Sequence, residues 1–436
     1  MTAALFITFA ITAIMGFPIW IVLVLSCFAG IFLGGSATPM LVIAQRMFTS
    51  VDSFPLLAIP LFMVAGNLME GGGISRRLIN FCNSLLGGFT GGLAMVAVLT
   101  CMLFAAISGS GPATVAALGI ILIPAMINRG GFSAPFASSL MASASSIAIV
   151  IPPSIAFVVY ASITGVSVGD MFMGGWIPGI MMGLSLVIII MIECRKKGIQ
   201  ASKAKSSWGQ RWKSFREAFW GFLMPVIIIG GIYGGVFTPT EAAAVSVVYG
   251  LVVGVFIYRE VKMKDMIDIL VDSGKTTGGI MLIIGAATLF SYVCTVFGIA
   301  QAAQALLLEI SGNKYIFLLI VNVIFLIAGC FVDANSAMYI FIPIMYPVAT
   351  QLGIDPVHFG VIATVNLAIG QVTPPVGVNL FVAIGVSEKL QGLRDKTKVT
   401  IVSMSKAVWP QIVACIIALL LITYVPWFST VLLFGK

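Results

Sequence analysis

Charged side chains are scarce in this chain of 436 residues: Asp, Glu, Lys and Arg together make up 9% of it, and hydrophobic residues make up 60%. A soluble domain carries about 25% charged residues, so the shortage of charge excludes that class. The mean hydropathy of +1.13 agrees with this exclusion. The composition therefore predicts a polytopic membrane protein.

Metal-binding and redox side chains are also few. The chain has one histidine, His358, and seven cysteines without a C-x-x-C spacing. Cysteines inside apolar runs behave as small hydrophobic residues, and this spacing indicates no disulfide framework, zinc site or haem ligation. We therefore expect a protein that is not an enzyme, and we expect His358, at the end of a predicted outer loop, to lie at the surface.

Two further features are missing. No basic stripe accompanies the net charge of +8, because the basic residues lie in short loops between apolar segments; nucleic acid is therefore not an expected partner. No basic segment precedes the first apolar run either, so we interpret that run as a membrane segment and not as a cleaved signal.

Two proline pairs interrupt stretches that otherwise have the composition of membrane helices. Pro374 and Pro375 lie within residues 366–381, and Pro152 and Pro153 lie within residues 145–157. Proline donates no backbone hydrogen bond and clashes with the carbonyl one turn earlier, so each pair breaks its helix and frees carbonyls. In a bilayer such carbonyls are tolerated only where protein covers them or where they bind an ion or water. Broken helices hold substrate and coupling cation in secondary transporters, which makes both breaks candidate sites.

The other segments divide the chain into two similar halves. Residues 1–192 are predicted to begin with two short spans within 5–33, a polar stretch with Arg46 and Asp52, a span at 54–69 and a surface helix at 74–86. A hairpin at about 92–126, a broken helix at about 135–162 and a span at 172–192 are predicted to follow. Residues 219–436 repeat this order, with a hairpin at about 315–347 and a broken helix at about 358–386. Hairpin arms of this length fall short of the ~20 residues that cross a bilayer. Both hairpins are therefore expected to be re-entrant: each enters the membrane and returns to the side from which it started.

Basic residues predict the orientation of the halves. The segment at 193–218 contains Arg195, Lys196, Lys197, Lys203, Lys205, Arg211, Lys213 and Arg216, and the positive-inside rule makes it a cytoplasmic loop. The loop after the second broken helix is also basic, with Lys389, Arg394, Lys396, Lys398 and Lys406, whereas its counterpart in the first half carries only Asp170. The two halves are therefore predicted to be inverted repeats of an all-α membrane protein, with five spans and one hairpin each and with both termini in the periplasm.

Inverted halves would bring both hairpin tips and both breaks together at mid-depth. The oxygen-bearing side chains at these places are Ser108, Ser110, Thr114, Ser145, Ser146, Ser154, Asp333, Asn335, Ser336, Gln371, Thr373 and Asn379. Hard oxygen ligands of this kind, together with freed carbonyls, suit Na⁺ better than a transition metal. Asp333 stands out because an acid inside an apolar hairpin is by default a candidate site residue; the alternative is that it caps the second arm of the hairpin.

Five motifs together resemble the large membrane subunit of tripartite ATP-independent periplasmic (TRAP) transporters, and the resemblance covers nearly the whole chain. They are SGSGPATVAALG at 108–119, IPPS at 151–154, GVFTPTEA at 235–242, DANSA at 333–337 and TPPVGVN at 373–379. The resemblance implies a Na⁺ symporter of the bacterial inner membrane with an elevator movement. It also implies a small membrane subunit, expected here as a separate chain, and a periplasmic binding protein that delivers an organic acid such as a C4-dicarboxylate or a sialic acid. A stand-alone Na⁺/carboxylate carrier of the divalent-anion symporter type is the alternative.

The same resemblance implies which residues bind each ligand, with at least two Na⁺ ions expected. The candidate cation ligands are Ser108, Gly109, Ser110, Ser146, Ile149 and Pro152 at the first break, and Gly329, Gly370, Thr373 and Val376 at the second. The candidate substrate-binding residues are Gly111, Thr114, Ser154, Asp333, Asn335, Ser336, Pro375, Gly377 and Asn379.

Overall fold

Helices make up all the regular secondary structure of this computed structural model in the residues that it describes, which are 2–33, 40–198, 206–395 and 397–433. Eight of the described helices are long and apolar enough to cross a membrane by length and composition. The predicted class, an all-α polytopic membrane protein, is therefore confirmed.

The first half contains ten helices within the described residues. They are α1 (Thr2–Ile14), α2 (Ile19–Leu33), α3 (Met40–Val51), α4 (Ala58–Gly71), α5 (Ile74–Leu86), α6 (Gly92–Ser108), α7 (Gly111–Asn128), α8 (Ala134–Ser146), α9 (Ile155–Thr164) and α10 (Val168–Lys197). Short 3₁₀ turns at Phe54–Leu57 and Ile147–Ile149 precede α4 and follow α8. Helices α6 and α7 form the first predicted hairpin, and α8 and α9 are the two arms of the first broken helix.

The second half contains a further ten helices, again counted over the described residues. They are α11 (Trp208–Tyr233), α12 (Pro239–Leu251), α13 (Met263–Val296), α14 (Ile299–Ser311), α15 (Lys314–Phe331), α16 (Ala334–Gln351), α17 (Pro356–Gly370), α18 (Val378–Glu388), α19 (Ile401–Tyr424) and α20 (Trp427–Thr430). A π-helical turn at Val252–Ile257 extends α12. Helices α15 and α16 form the second hairpin, and α17 and α18 are the arms of the second broken helix.

Several helices are longer than the apolar runs that predicted them. The stretch around Arg46 forms α3, α10 continues to Lys197, and α13 begins at Met263, well before its apolar part. The predicted basic loop at 193–218 is therefore helical at both ends, at 193–197 and 208–218. Lys203, Lys205, Lys396 and the chain ends at 1 and 434–436 lie outside the described residues, and the periplasmic placement of the termini stays a prediction.

The two broken helices run in opposite directions. At one side of the protein, the N–H of Ala134, where α8 begins, donates to Asp395 Oδ2 at 2.8 Å, in the loop that follows α18. At the other side, the hydroxyl of Tyr160 in α9 donates to the carbonyl of Pro356, where α17 begins, at 2.7 Å. Each broken helix thus begins where the other ends, as inverted halves require. The residue boundaries of the two repeats stay predictions.

Packing between the halves is reciprocal. Helix α7, which follows the tip of the first hairpin, packs on α18, and α16, which follows the tip of the second, packs on α9. The hairpin of each half therefore contacts the broken helix of the other half. This arrangement brings the two tips and the two breaks into one region of the protein.

Candidate functional site

The first break lies between α8 and α9. The chain leaves the 3₁₀ turn at Ile149 and re-enters a helix at Ile155, with the proline pair between them. Ser154 caps α9, since its Oγ accepts the N–H of Phe157 at 3.3 Å, and its hydroxyl donates to the carbonyl of Ile149. The Ile149 carbonyl, a predicted cation ligand, therefore already accepts one hydrogen bond across the break.

The tip of the first hairpin lies directly against this break. Gly109 has a φ of +61°, and a Cβ at this position would lie 2.7 Å from the carbonyl oxygen of Pro153. Only glycine combines this left-handed backbone with such a close approach. The predicted pairing of the tip at 108–111 with the break at 149–153 is thus present as a backbone contact.

The second break repeats this geometry. Helix α17 ends at Gly370, where a Cβ would lie 2.5 Å from the Cα of Gly329 in α15. Gly377, with a φ of +62°, donates its N–H to the carbonyl of Cys330 at 3.0 Å. The end of α15 and the second break are therefore held together by the contact between Gly329 and Gly370 and by one backbone hydrogen bond.

Asn379 and Gln371 of the second break also reach the first hairpin. A Cβ at Gly111 would lie 2.9 Å from both Asn379 Nδ2 and Gln371 Oε1. The Asn379 amide also lies 3.4 Å from the carbonyl of Ala142 and 3.4 Å from Ser145 Oγ, both in α8. The second break thus faces the tip and the broken helix of the first half.

Two amide oxygens at this meeting point, Gln371 Oε1 and Asn379 Oδ1, are buried and have no hydrogen-bond partner among the described residues, and the same holds for Asn335 Oδ1 at the start of α16. A buried acceptor without a partner costs about 1–3 kcal/mol. A cation or a donor group of a bound ligand would remove that cost. The donor chemistry, neutral oxygens without a cluster of carboxylates among the described residues, fits an alkali cation better than a divalent one.

Four of the predicted hydroxyl ligands share one feature: each gives its hydrogen to a nearby backbone carbonyl. The bonds are Ser108 to Ser110 at 3.4 Å, Thr114 to Ser110 at 2.8 Å, Ser146 to Ser143 at 2.8 Å and Thr373 to Ile369 at 2.8 Å. A hydroxyl whose hydrogen is used in this way keeps its oxygen lone pairs for another partner. These side chains are therefore arranged to accept or to ligate and not to donate.

Asp333 caps α16. Its carboxylate accepts the N–H groups of Asn335 at 3.1 Å and of Ser336 at 3.2 Å, and it also accepts the hydroxyl of Ser336. The structure thus favours the capping alternative for Asp333, and it ties Ser336, a predicted substrate ligand, to the same cap.

The surface position expected for His358 is wrong. This residue is 2% exposed, and its Nε2 lies 3.2 Å from the carbonyl of Thr423 in α19. Two buried amides continue the polar contacts: Asn322 Nδ2 donates to Thr423 Oγ1 at 3.2 Å, and Asn366 Nδ2 donates to Asn322 Oδ1 at 2.7 Å. Sequence reasoning missed this network; the only available signal was two asparagines inside otherwise apolar runs.

Comparison with known proteins identifies one family. The sequence model of the family described as "Tripartite ATP-independent periplasmic transporter, DctM component" matches residues 6–428. Similar proteins include the isethionate TRAP transporter permease protein DctMQ of Oleidesulfovibrio alaskensis, 43% identical over 97% of this chain and 65% of that protein. They also include the C4-dicarboxylate TRAP transporter large permease protein DctM of Rhodobacter capsulatus, 39% identical over 96% and 95%.

Two further proteins extend the comparison. The sialic acid TRAP transporter large permease protein SiaM of Vibrio cholerae is 35% identical over 96% of this chain and 95% of its own. Among solved structures, the YdaH transporter of Alcanivorax borkumensis matches with a TM-score of 0.65 at 14% identity, over 91% of this chain and 90% of that one. At this identity the YdaH likeness shows a shared fold and no more.

Proposed function

This chain belongs to the DctM family of tripartite ATP-independent periplasmic transporter components, and we propose that it takes up a small organic acid together with Na⁺. As a family member with eight apolar helices, it is a multi-pass protein of the bacterial inner membrane. The family is one of transport permeases, which agrees with the expectation that the chain is not an enzyme.

The observation that carries the proposal is the meeting of two hairpin ends and two broken helices. Gly109 lies against Pro153, Gly329 lies against Gly370, and Gly111 of the first half lies against Asn379 of the second. Each break leaves backbone carbonyls near neutral side-chain oxygens, which is the donor set that Na⁺ prefers. The simplest arrangement is one Na⁺ ion bound at each of the two breaks.

An organic acid suits the region between the two breaks. Helix α7 begins at Gly111, opposite the amide of Asn379, and the N-terminus of a helix presents N–H groups and a partial positive charge to an anion. Two Na⁺ ions nearby would offset the charge of a carboxylate. Relatives are named for C4-dicarboxylate, sialic acid and isethionate, and we propose a substrate of this anionic class.

The way in which the two halves interlock supports the proposed elevator movement. The hairpins and broken helices hold one another through α7 with α18 and α16 with α9, so both breaks belong to one interlocked unit. Helices α4 and α13 pack beside this unit. We propose that the unit moves as a body past α4 and α13 and so exposes the site to each side of the membrane in turn.

The proposed partners are a small membrane subunit on a separate chain and a periplasmic binding protein. The family description names a component of a tripartite transporter, and a three-part assembly requires two further parts. The chain spans 65% of the length of the isethionate relative named DctMQ, so that relative contains sequence that this chain lacks.

Uptake into proteoliposomes tests the proposal. The permease is reconstituted with the small subunit, and the binding protein is added outside with a labelled acid that it binds. We expect uptake only with the binding protein present, and faster uptake in sodium than in choline buffer. Uptake without the binding protein would favour the stand-alone divalent-anion type of carrier, and equal rates in the two buffers would remove Na⁺ coupling.

A further inference from the structure

A crevice separates α4 from the tip of the first hairpin, outside the two breaks described above. Asn67 and Glu70 of α4 line it on one side, and Ser108 and Ala113 line it on the other. Its volume is about 10 Å³, which is close to the room that one water molecule needs. A dehydrated alkali cation is of similar size, so the crevice has space for one small ion.

Three side chains offer oxygen atoms to that ion. Asn67 uses its amide nitrogen to donate to Ser273 Oγ at 2.8 Å, which leaves its carbonyl oxygen free to accept. Ser108 gives its hydroxyl hydrogen to the carbonyl of Ser110 at 3.4 Å, which leaves its oxygen lone pairs. Glu70 adds a carboxylate. Side-chain carbonyl, hydroxyl and carboxylate oxygens are hard ligands, which favour alkali and alkaline-earth cations.

The charge of Glu70 argues for a cation and against an anionic substrate. The Glu70 carboxylate forms no ion pair or hydrogen bond with the other described residues, although its side chain is partly buried. An unpaired carboxylate in such a place costs free energy that a bound cation would recover. A single carboxylate suits a monovalent ion, because the described residues hold no group of three acidic, histidine or cysteine ligands for a divalent one.

Glu70 lies at the end of α4 that leads into α5, and α5 contacts the basic segment at 193–218. Helix α4 ends at Gly71, one residue after Glu70, and α5 follows directly. The guanidinium Nε of Arg211, within the basic segment, donates to the carbonyl of Ser84 in α5 at 3.3 Å. The basic segment is predicted to be cytoplasmic, so Glu70 is placed toward the cytoplasm.

We propose that Glu70, Asn67 and Ser108 form an additional Na⁺ site through which the ion of the first break passes on its way to the cytoplasm. Ser108 is shared with the first break, so an ion can be transferred between the two places without losing all its ligands. The site exists only where the tip lies against α4: a Cβ at Gly66 would lie 3.3 Å from the carbonyl of Ile107. The inference rests on the proposed Na⁺ coupling and on the proposed movement past α4.

Sodium inhibition from the inside of proteoliposomes tests the site. Uptake driven by external binding protein reports only on molecules with their periplasmic side outward. Na⁺ loaded inside slows their uptake by occupying the release site. We expect Glu70→Gln to raise the internal Na⁺ concentration for half-inhibition by about three- to tenfold, because a neutral amide attracts the ion less than a carboxylate does. The external Na⁺ concentration for half-maximal uptake is expected to change by less than about twofold.

Two further variants complete the test. Glu70→Asp keeps the charge and is expected to stay close to the wild type, and Glu309→Gln removes an exposed carboxylate of α14 and is expected to change nothing. An unchanged internal half-inhibition in Glu70→Gln would overturn the site, and so would equal shifts on both sides, because those indicate a general effect on the fold. Loss of Na⁺ dependence in the wild type would instead overturn the proposed function.

Discussion

The contact between Gly329 and Gly370 makes a quantitative prediction for Gly370→Ala. The new Cβ would lie 2.5 Å from Gly329 Cα and 2.7 Å from Gly329 C, whereas carbon atoms rest at about 3.5–4.0 Å. Because both neighbours are backbone atoms, no side-chain rotation relieves the overlap, and α15 and α17 must separate by about 1 Å or more. A shift of this size would stretch the 3.0 Å hydrogen bond from Gly377 N–H to the carbonyl of Cys330 beyond useful length.

Overpacking of this kind costs about 1–3 kcal/mol. A free energy of about 1.4 kcal/mol corresponds to a tenfold change in a dissociation constant. If the overpacking destabilises the ion-bound form of the second break by its full cost of about 1–3 kcal/mol, Na⁺ binds there about 5- to 150-fold more weakly. We therefore expect Gly370→Ala to raise the external Na⁺ concentration for half-maximal uptake by at least about fivefold.

The control for this variant lies on the same broken helix. A Cβ at Gly385 in α18 would meet no atom within 4 Å, so Gly385→Ala is expected to behave as the wild type. In Gly329→Ala, the new Cβ would lie 2.9 Å from Gly370 Cα. This variant is expected to show a smaller effect than Gly370→Ala, in the same direction. Wild-type Na⁺ dependence in Gly370→Ala, with the protein folded and monodisperse, would refute the assignment of the second cation site.

Three other predictions concern single side chains. Asn379→Ala is expected to abolish uptake while the protein elutes from size exclusion as the wild type does; normal uptake kinetics would remove Asn379 from the site. Asp333→Ala should destabilise α16 by about 1 kcal/mol through loss of its cap, seen as a lower unfolding midpoint, and Asp333→Asn should restore most of it; equal midpoints would contradict the capping role. The hydroxyl of Thr397 and the N–H of Ala134 hold the pKa of Asp395 below its ordinary value of 3.8, so the contribution of Asp395 to stability is present above that pH and is lost below it. The unfolding midpoints of wild type and Asp395→Ala should therefore differ at pH 7 and converge on acidification, and a constant difference would be evidence against the hydrogen bonds to Asp395.

Elements defined by hydrophobicity and by proline were the easiest to predict from the sequence. The helix predicted at 74–86 has these bounds in the structure. The helical arms of both hairpins and of both broken helices also lie beside the proline pairs and the tips that predict them. These features are local: proline ends a helix wherever it occurs, and a short apolar arm cannot span a bilayer.

Helical stretches without apolar character were harder to predict. The first turns of α13 carry Asp265, Asp268 and Asp272, and hydropathy alone does not distinguish such a polar helix from a loop. A polar helix start is stabilised by acids in its first turn and by charge pairs such as Lys275 with Asp272 at 3.2 Å. The burial of His358 could not be predicted either, since it depends on α19, which lies 65 residues away in sequence at the Thr423 contact.

The site itself was predictable in composition and not in its contacts. Pro-Pro pairs and Ser/Gly tips indicated which residues would meet, but the proximity of Gly111 to both Asn379 and Gln371 depends on how the two halves interlock. The role of Asp333 shows the same limit, because an acid at the start of a helix is compatible with a cap and with a ligand, and only the hydrogen bonds to Asn335 and Ser336 distinguish them.

Helix α19 connects the two breaks mechanically. Near its middle, Gln411 accepts the hydroxyl of Ser143 in α8 at 2.7 Å and donates to Ser139 at 3.2 Å. Near its end, Thr423 receives the polar contacts of α15 and α17. All these side chains are buried, where breaking a hydrogen bond is most costly. The first arms of both broken helices are therefore fixed to one helix, and a movement of that helix relative to α4 and α13 would carry both candidate cation sites together. Under the proposed movement, two Na⁺ ions would be coupled to one transport step without a signal between the sites, because neither site would change its side of the membrane without the other.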